Sequence, residues 1–146
     1  MKDKEMIRSA ELRDANALHE LLEQLGYSTE LSQIEKFLLK ENDLATTAVY
    51  VYELSDRAIG FISLTRYFYF PAMQNVMRIT AFCVDAEHRN LGIGGQLLSF
   101  AEHLAIDFGD ALIEISCSLE RQQAHRFYLK QGYSQQSYRF VKRFVL

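Results

Sequence analysis

Apolar residues in this chain switch between two spacings, and the order of the switches outlines a fold. Leu18, Leu21, Leu22 and Leu25 recur at helical intervals, with Asp14 placed to cap the run and Gly26 to end it. Leu31, Ile34, Phe37 and Leu38 repeat that spacing in a second helix, whose start Ser28 or Thr29 can cap. A short apolar stretch, Met6 to Ala10, precedes both and reads as a first strand. From Thr46 the composition turns to valine and tyrosine. Thr46 to Leu54 and Ala58 to about Tyr69 read as strands joined by a tight turn at Ser55-Asp56-Arg57. Pro71 interrupts an aromatic cluster, and Asn75 to Val84 forms the next strand.

The second half alternates. Gly94 to Phe108 is the clearest helix, with Leu97, Leu98, Ala101, Leu104, Ala105 and Phe108 on one stripe and Gly109 as its stop. Leu112 to Ser118 reads as a buried strand, Gln122 to Gln131 as an amphipathic helix capped by Gly132, and Tyr138 to Val145 as a terminal strand. Strand, two helices, three antiparallel-type strands, then helix, strand, helix, strand predict an α/β domain with a partly antiparallel sheet.

Composition narrows the class. The chain has 146 residues, room for one ordinary domain, and about half of them are apolar. A net charge of -3 spread along the chain offers no basic surplus for a nucleic-acid backbone. No apolar run reaches membrane-spanning length and the start MKDKEMIRSAE has no signal-type segment, so a soluble cytoplasmic protein is expected. Cys83 and Cys117 lie in strand-like runs without paired spacing, and the four histidines are scattered, so neither a disulfide nor a metal site is expected.

The chemistry concentrates in CVDAEHRNLGIGGQLL, Cys83 to Leu98. Glycines here follow a strand and open a helix. The first amides of a helix have no intrahelical partner, and the helix dipole adds partial positive charge, so an anion fits there. Arg89 can add a charge-assisted bond. A glycine-rich turn serving only packing is the alternative. Two familiar phosphate loops fail: Gln96 and Leu97 stand where a Walker loop needs lysine and a hydroxyl residue, and Leu97 occupies the third glycine of a dinucleotide fingerprint.

Arg89-Asn90-Leu91-Gly92-Ile93-Gly94 resembles the R/Q-x-x-G-x-G/A signature of the GCN5-related N-acetyltransferase (GNAT) family. Ala124 to Tyr133, AHRFYLKQGY, is similar to that family's A-x-x-F-Y-x-x-x-G-F/Y segment, and the order of elements is the family's order. The resemblance covers nearly the whole chain, as one acetyltransferase domain over residues 1–146. It implies a mixed, largely antiparallel central sheet flanked by helices on both faces and acetyl-coenzyme A as cosubstrate. The acceptor it implies is a primary amine of a small molecule or peptide, reached by direct attack on the thioester. It also implies that the backbone of Arg89, Asn90, Leu91, Gly92, Ile93, Gly94 and Gly95 wraps the pyrophosphate. Phe82, Cys83 and Val84 would hold the pantetheine arm, and Tyr128 would protonate the leaving thiolate.

Three features depart from the family pattern or leave it open. Many relatives carry a glutamate on the fourth strand, whereas Asn75 to Val84 has no carboxylate; Glu114 lies on the next strand, facing either side. Arg121 stands where many relatives have asparagine, and either reaches an anion or is a solvated charge. The run Tyr67-Phe68-Tyr69-Phe70 suits a substrate wall or a homodimer contact equally. A catalytically silent acetyl-coenzyme A sensor and a different nucleotide-binding enzyme are the competing functions.

Overall fold

The computed structural model describes residues 5–117 and 121–145, which form two compact bodies, one ending at Glu114 and one beginning at Ile115. The sheet has five strands in sequence order: β1 (Glu5–Ser9), β2 (Ala48–Leu54), β3 (Arg57–Tyr69), β4 (Gln74–Val84) and β5 (Ile113–Ile115). The first four pair antiparallel. Two main-chain bonds lead into β5, from Ala111 N to Asn75 O at 3.0 Å and from Met77 N to Leu112 O at 3.1 Å. Both chains advance in the same direction along them, so this edge is parallel and the sheet is mixed.

The β2–β3 hairpin closes through Ser55 and Asp56, with φ of 50° and 65°. Two positive φ values in a two-residue loop match the right-handed twist of the strands on either side. Arg57 already belongs to β3.

Alternation assigns the two faces. Val51, Phe61 and Cys83 lie on one face and pack with Ala15, Leu18 and Leu21 of α1 (Ala15–Leu25) and Ile34 of α2 (Leu31–Leu38). Tyr50, Gly60 and Ile62 lie on the other, under α3 (Ile93–Phe108). The Tyr50 and Phe100 rings meet edge-on at 4.9 Å. Gly60 is required by this packing, because a Cβ there would stand 3.2 Å from both Cys83 O and Leu97 Cδ1. At the far end of α3, Arg66 pairs with the buried Asp110 at 2.6 Å and lies 4.2 Å over the Phe108 ring. A sheet with helices on both faces is therefore observed in the first body, as the family resemblance implies.

Asp14 caps α1 by position only. Its carboxylate turns back to accept the Glu11 amide at 2.8 Å and the Arg8 guanidinium at 2.7 and 2.9 Å. Arg8 also reaches the buried Glu53 of β2 at 2.8 Å, so one cation ties β1, β2 and the entry to α1 together. Neither Ser28 nor Thr29 caps α2; the cap position falls to Glu30, without a side-chain bond.

The second body holds α4 (Gln122–Lys130), close to the helix read from the sequence. Residues 138–145, expected as a strand, carry none, and Tyr138, Phe140 and Phe144 are exposed. Alternating apolar and basic residues there give strand propensity, but a strand forms only where a partner's backbone supplies its hydrogen bonds. The end of the expected strand at Ser118 lies outside the described residues.

Candidate active site

The loop from β4 to α3 is built by local bonds and then fastened to α1. Asp85 N donates to Ile59 O at 2.8 Å and His88 N to Asp85 O at 2.9 Å. The Asp85 carboxylate accepts Gln24 Nε2 at 2.8 Å and pairs with His88 Nδ1 at 2.7 Å, while Ala86 N donates to Gln24 Oε1 at 2.9 Å. Hydrogen bonds from Gln24, and next from His88, hold the Asp85 carboxyl below its ordinary range. Gln24 has no motif signal, because its partners lie about sixty residues away in the chain and meet it only through the packing of α1.

Beyond this clamp the backbone turns sharply. Asn90 and Gly92 both have positive φ, 66° and 82°. Gly92 is the N-cap of α3, and only glycine takes that conformation without cost. α3 then runs for 16 residues, so its opening amides carry the full terminal dipole. The first intrahelical bond at this end is Gln96 N to Gly92 O, at 3.1 Å. The amides of Ile93, Gly94 and Gly95 precede it and are available to a ligand. A Cβ at Gly92 or Gly95 would meet no atom within 4 Å, so the surface over this turn is open. Arg89 is exposed, and its Nε donates to Val84 O at 3.2 Å, which holds the guanidinium beside the end of β4. Open glycine amides, a long helix dipole and a tethered arginine fit a pyrophosphate.

β4 itself is irregular just before this point. Ser63 pairs with Ala81 but Leu64 pairs with Ile79, which leaves Thr80 as the extra residue of a bulge. The Ser63 and Thr80 hydroxyls stand 2.7 Å apart across it. Phe82, Cys83 and Val84 follow, paired with Ile62, Phe61 and Gly60. Cys83 is buried, with its Sγ 3.5 Å from Leu21 O, the packing role expected for a thiol in an apolar strand. On the α1–α2 face, an apolar hollow of about 240 Å³ is lined by Leu18, Leu22, Ile34, Phe61, Ser63 and Ala81, among others. Its floor at Ala81 adjoins the Phe82–Val84 segment.

Within the second body, Tyr128 lies on α4 with its ring 5.4 Å from Phe127 and 6.0 Å from Tyr133. Burial pushes the phenol up to about 12, the nearby Cys117 adds to the rise and Arg121 opposes it. Such a phenol keeps its proton at neutral pH and can donate a hydrogen bond to negative charge that develops on a leaving sulfur. Arg121 is exposed at the helix start. Phe68, Tyr69 and Phe70 are exposed near the β3–β4 turn, whereas Tyr67 is half-buried and bonded to Glu114. No group of His, Cys, Asp and Glu among the described residues is arranged to hold a metal, and none of their helices is long and apolar enough to cross a membrane.

Comparison with known proteins gives the family and the fold. An aminoalkylphosphonate N-acetyltransferase of Salmonella typhimurium is 39% identical over 84 residues, 58% of this chain and 54% of that protein; the match thus spans about half the length of the curated relative. A transcriptional regulator from Bacillus halodurans superposes with a TM-score of 0.85 at 20% identity, covering 97% of this chain and all of the other. The aminoglycoside N-acetyltransferase AAC(6')-Iy, solved in complex with CoA, superposes with a TM-score of 0.79 at 16% identity, covering 99% of this chain and 97% of the other. Both superpositions establish the shared fold. The model of the Acetyltransferase (GNAT) family matches residues 12–133, and to that family this chain belongs.

Proposed function

We propose that the protein transfers the acetyl group of acetyl-coenzyme A to the primary amine of a small molecule, by direct attack of the amine on the thioester. The observation that carries this reading is the open glycine turn at Gly92: a left-handed N-cap and free helix amides directly after β4, with Arg89 beside them. These residues would hold the pyrophosphate. The backbone of Phe82 to Val84 would align the pantetheine arm and present an amide to the thioester oxygen, which contributes about 3–4 kcal/mol to lowering the barrier in comparable sites. Tyr128, kept protonated by burial, would supply the proton to the thiolate. Bound acetyl-coenzyme A provides the activated acyl group; the chain provides its alignment.

A small acceptor is favoured by the Salmonella relative, whose name makes it an acetyltransferase of aminoalkylphosphonates, and by the modest hollow beside Ala81. The test is a thermal-shift titration followed by a thiol-release assay over a panel of primary amines, aminoalkylphosphonates included. A rise in melting temperature with acetyl-coenzyme A, none with ATP or NAD, and turnover of an amine support the reading. Binding without turnover of any amine would make the protein a sensor of acetyl-coenzyme A instead.

A further inference from the structure

β4 carries no carboxylate, yet the structure brings one to it from the neighbouring strand. Glu114 of β5 accepts a hydrogen bond from Arg78 Nη1 at 2.9 Å and another from the Tyr67 hydroxyl. Both bonds go to one oxygen, Oε1. Oε2 accepts no hydrogen bond among the described residues, and the Glu114 side chain is 34% exposed. A carboxylate offers about four acceptor positions, so a group fixed on one oxygen and open on the other is set to receive a further donor. Burial, and next the bond to Glu114, push the Tyr67 phenol up to about 12, so this partner stays a donor at neutral pH.

The strand register gives the cluster its place. Ser63 and Ala81 line the apolar hollow on the α1–α2 face. Thr65, two residues on from Ser63, returns to that face and is paired with Arg78; Tyr67, two further, is paired with Val76. Arg66 points the other way, to Asp110 below α3. Arg78, Tyr67 and the carboxylate they hold therefore lie on the same face as the hollow and beside it along the sheet. All three side chains belong to the first body.

We propose that Glu114 binds the ammonium group of the acceptor through Oε2, as the residue that selects cationic amines. The assignment rests on the amine-acetyltransferase reading above. Tyr67 and Arg78 are positioning residues, which fix the carboxylate so that little rotational freedom is lost when the amine arrives. Glu114 makes no covalent bond: the bound ammonium gives one proton to solvent water before the neutral amine attacks the thioester, and a remaining N–H stays on Oε2. The apolar hollow then takes the uncharged part of the same molecule.

The experiment measures steady-state kinetics of the full chain on the best amine of the panel, for wild type, Glu114→Gln and Glu114→Asp. A charged hydrogen bond exchanged for a neutral one is expected to raise KM for the amine about tenfold to a hundredfold in Glu114→Gln. KM for acetyl-coenzyme A and the melting temperature should stay near wild type, and Glu114→Asp should recover part of the loss. In Tyr67→Phe a smaller rise in the same constant is expected. An unchanged amine KM in Glu114→Gln, or a loss confined to kcat, overturns the assignment while leaving the function standing. A wild-type chain with no acetyl-coenzyme A shift and no amine turnover removes the function and this assignment with it.

Discussion

Gln24 holds Asp85 by both ends of one amide: its Nε2 donates to the Asp85 carboxylate at 2.8 Å, and its Oε1 accepts the next residue's amide, Ala86 N, at 2.9 Å. α1 thereby fixes the loop that leads to the glycine turn. Gln24→Ala removes both bonds at a partly exposed site. We expect a loss of about 1–2 kcal/mol in the ordering of this loop. It should appear as roughly a tenfold rise in KM for acetyl-coenzyme A, with the amine KM and the melting temperature little changed. Steady-state kinetics with each substrate varied in turn would show it, and equal effects on both constants would mean that the clamp serves the whole domain.

The Gly92 turn gives a sharper outcome. At Gly92, with φ of 82°, a side chain is strained, and a second one at Gly94 is expected to crowd a pyrophosphate held by the opening helix amides. Left-handed backbone costs a non-glycine residue roughly 1–2 kcal/mol, which this fold can absorb. The double change Gly92→Leu with Gly94→Leu is expected to leave the circular dichroism spectrum intact and to abolish the acetyl-coenzyme A thermal shift. Retained affinity in a folded variant would place the pyrophosphate elsewhere.

What the chain discloses in advance depends on how local the cause is. α3, its glycine stop and the turn before it were legible because each follows from neighbours within a few residues: Leu97, Leu98 and Ala101 mark the stripe, and Gly92 marks the left-handed cap. The β2–β3 hairpin was legible for the same reason. Asp14 shows the limit. Its type and position fit a helix cap, yet Arg8 and Glu53, brought up by β1 and β2, claim the carboxylate. The bulge at Thr80 and the pairing of Glu114 with Arg78 depend on register between strands, which alternation alone does not set. The strand read over 138–145 failed in the opposite sense, since local propensity was present and no strand pairing forms there among the described residues.

Tyr128 offers a prediction with a pH signature. If its phenol delivers the proton to the departing thiolate, Tyr128→Phe should lower kcat by roughly a hundredfold while the acetyl-coenzyme A shift persists. A group raised to about 12 keeps its proton through neutral pH and loses it only as pH climbs through that value. The wild-type profile should therefore show no fall from this residue below about pH 11. Turnover unaffected by the change would mean that water protonates the thiolate.

Arg8 is the cation whose loss should cost the fold most. Its side chain is 11% exposed and faces Asp14 and Glu53, themselves 5% and 4% exposed. Bonds from Arg8 are the main cause lowering Glu53. In Asp14, burial would raise the carboxyl, and the bonds from Arg8 and the Glu11 amide outweigh it. Arg8→Met keeps the apolar stem, strips Asp14 of its guanidinium partner and leaves Glu53 only the longer bond to Arg13 at 3.1 Å, at about 3–5 kcal/mol for a buried pair broken from one side. A fall in melting temperature of roughly 10 °C or more is expected at pH 7. The sign with pH follows from the lowered groups. Their stabilisation is complete above the unfolded value of about 4 and decays as pH falls through the folded values, because the unfolded chain takes up protons first. In Arg8→Met the same carboxyls lose their main cation, so acid neutralises them at a gain. The gap between the two proteins should therefore narrow from pH 7 towards pH 4, and melting curves in which it holds constant or widens would show that Arg8 acts through packing alone.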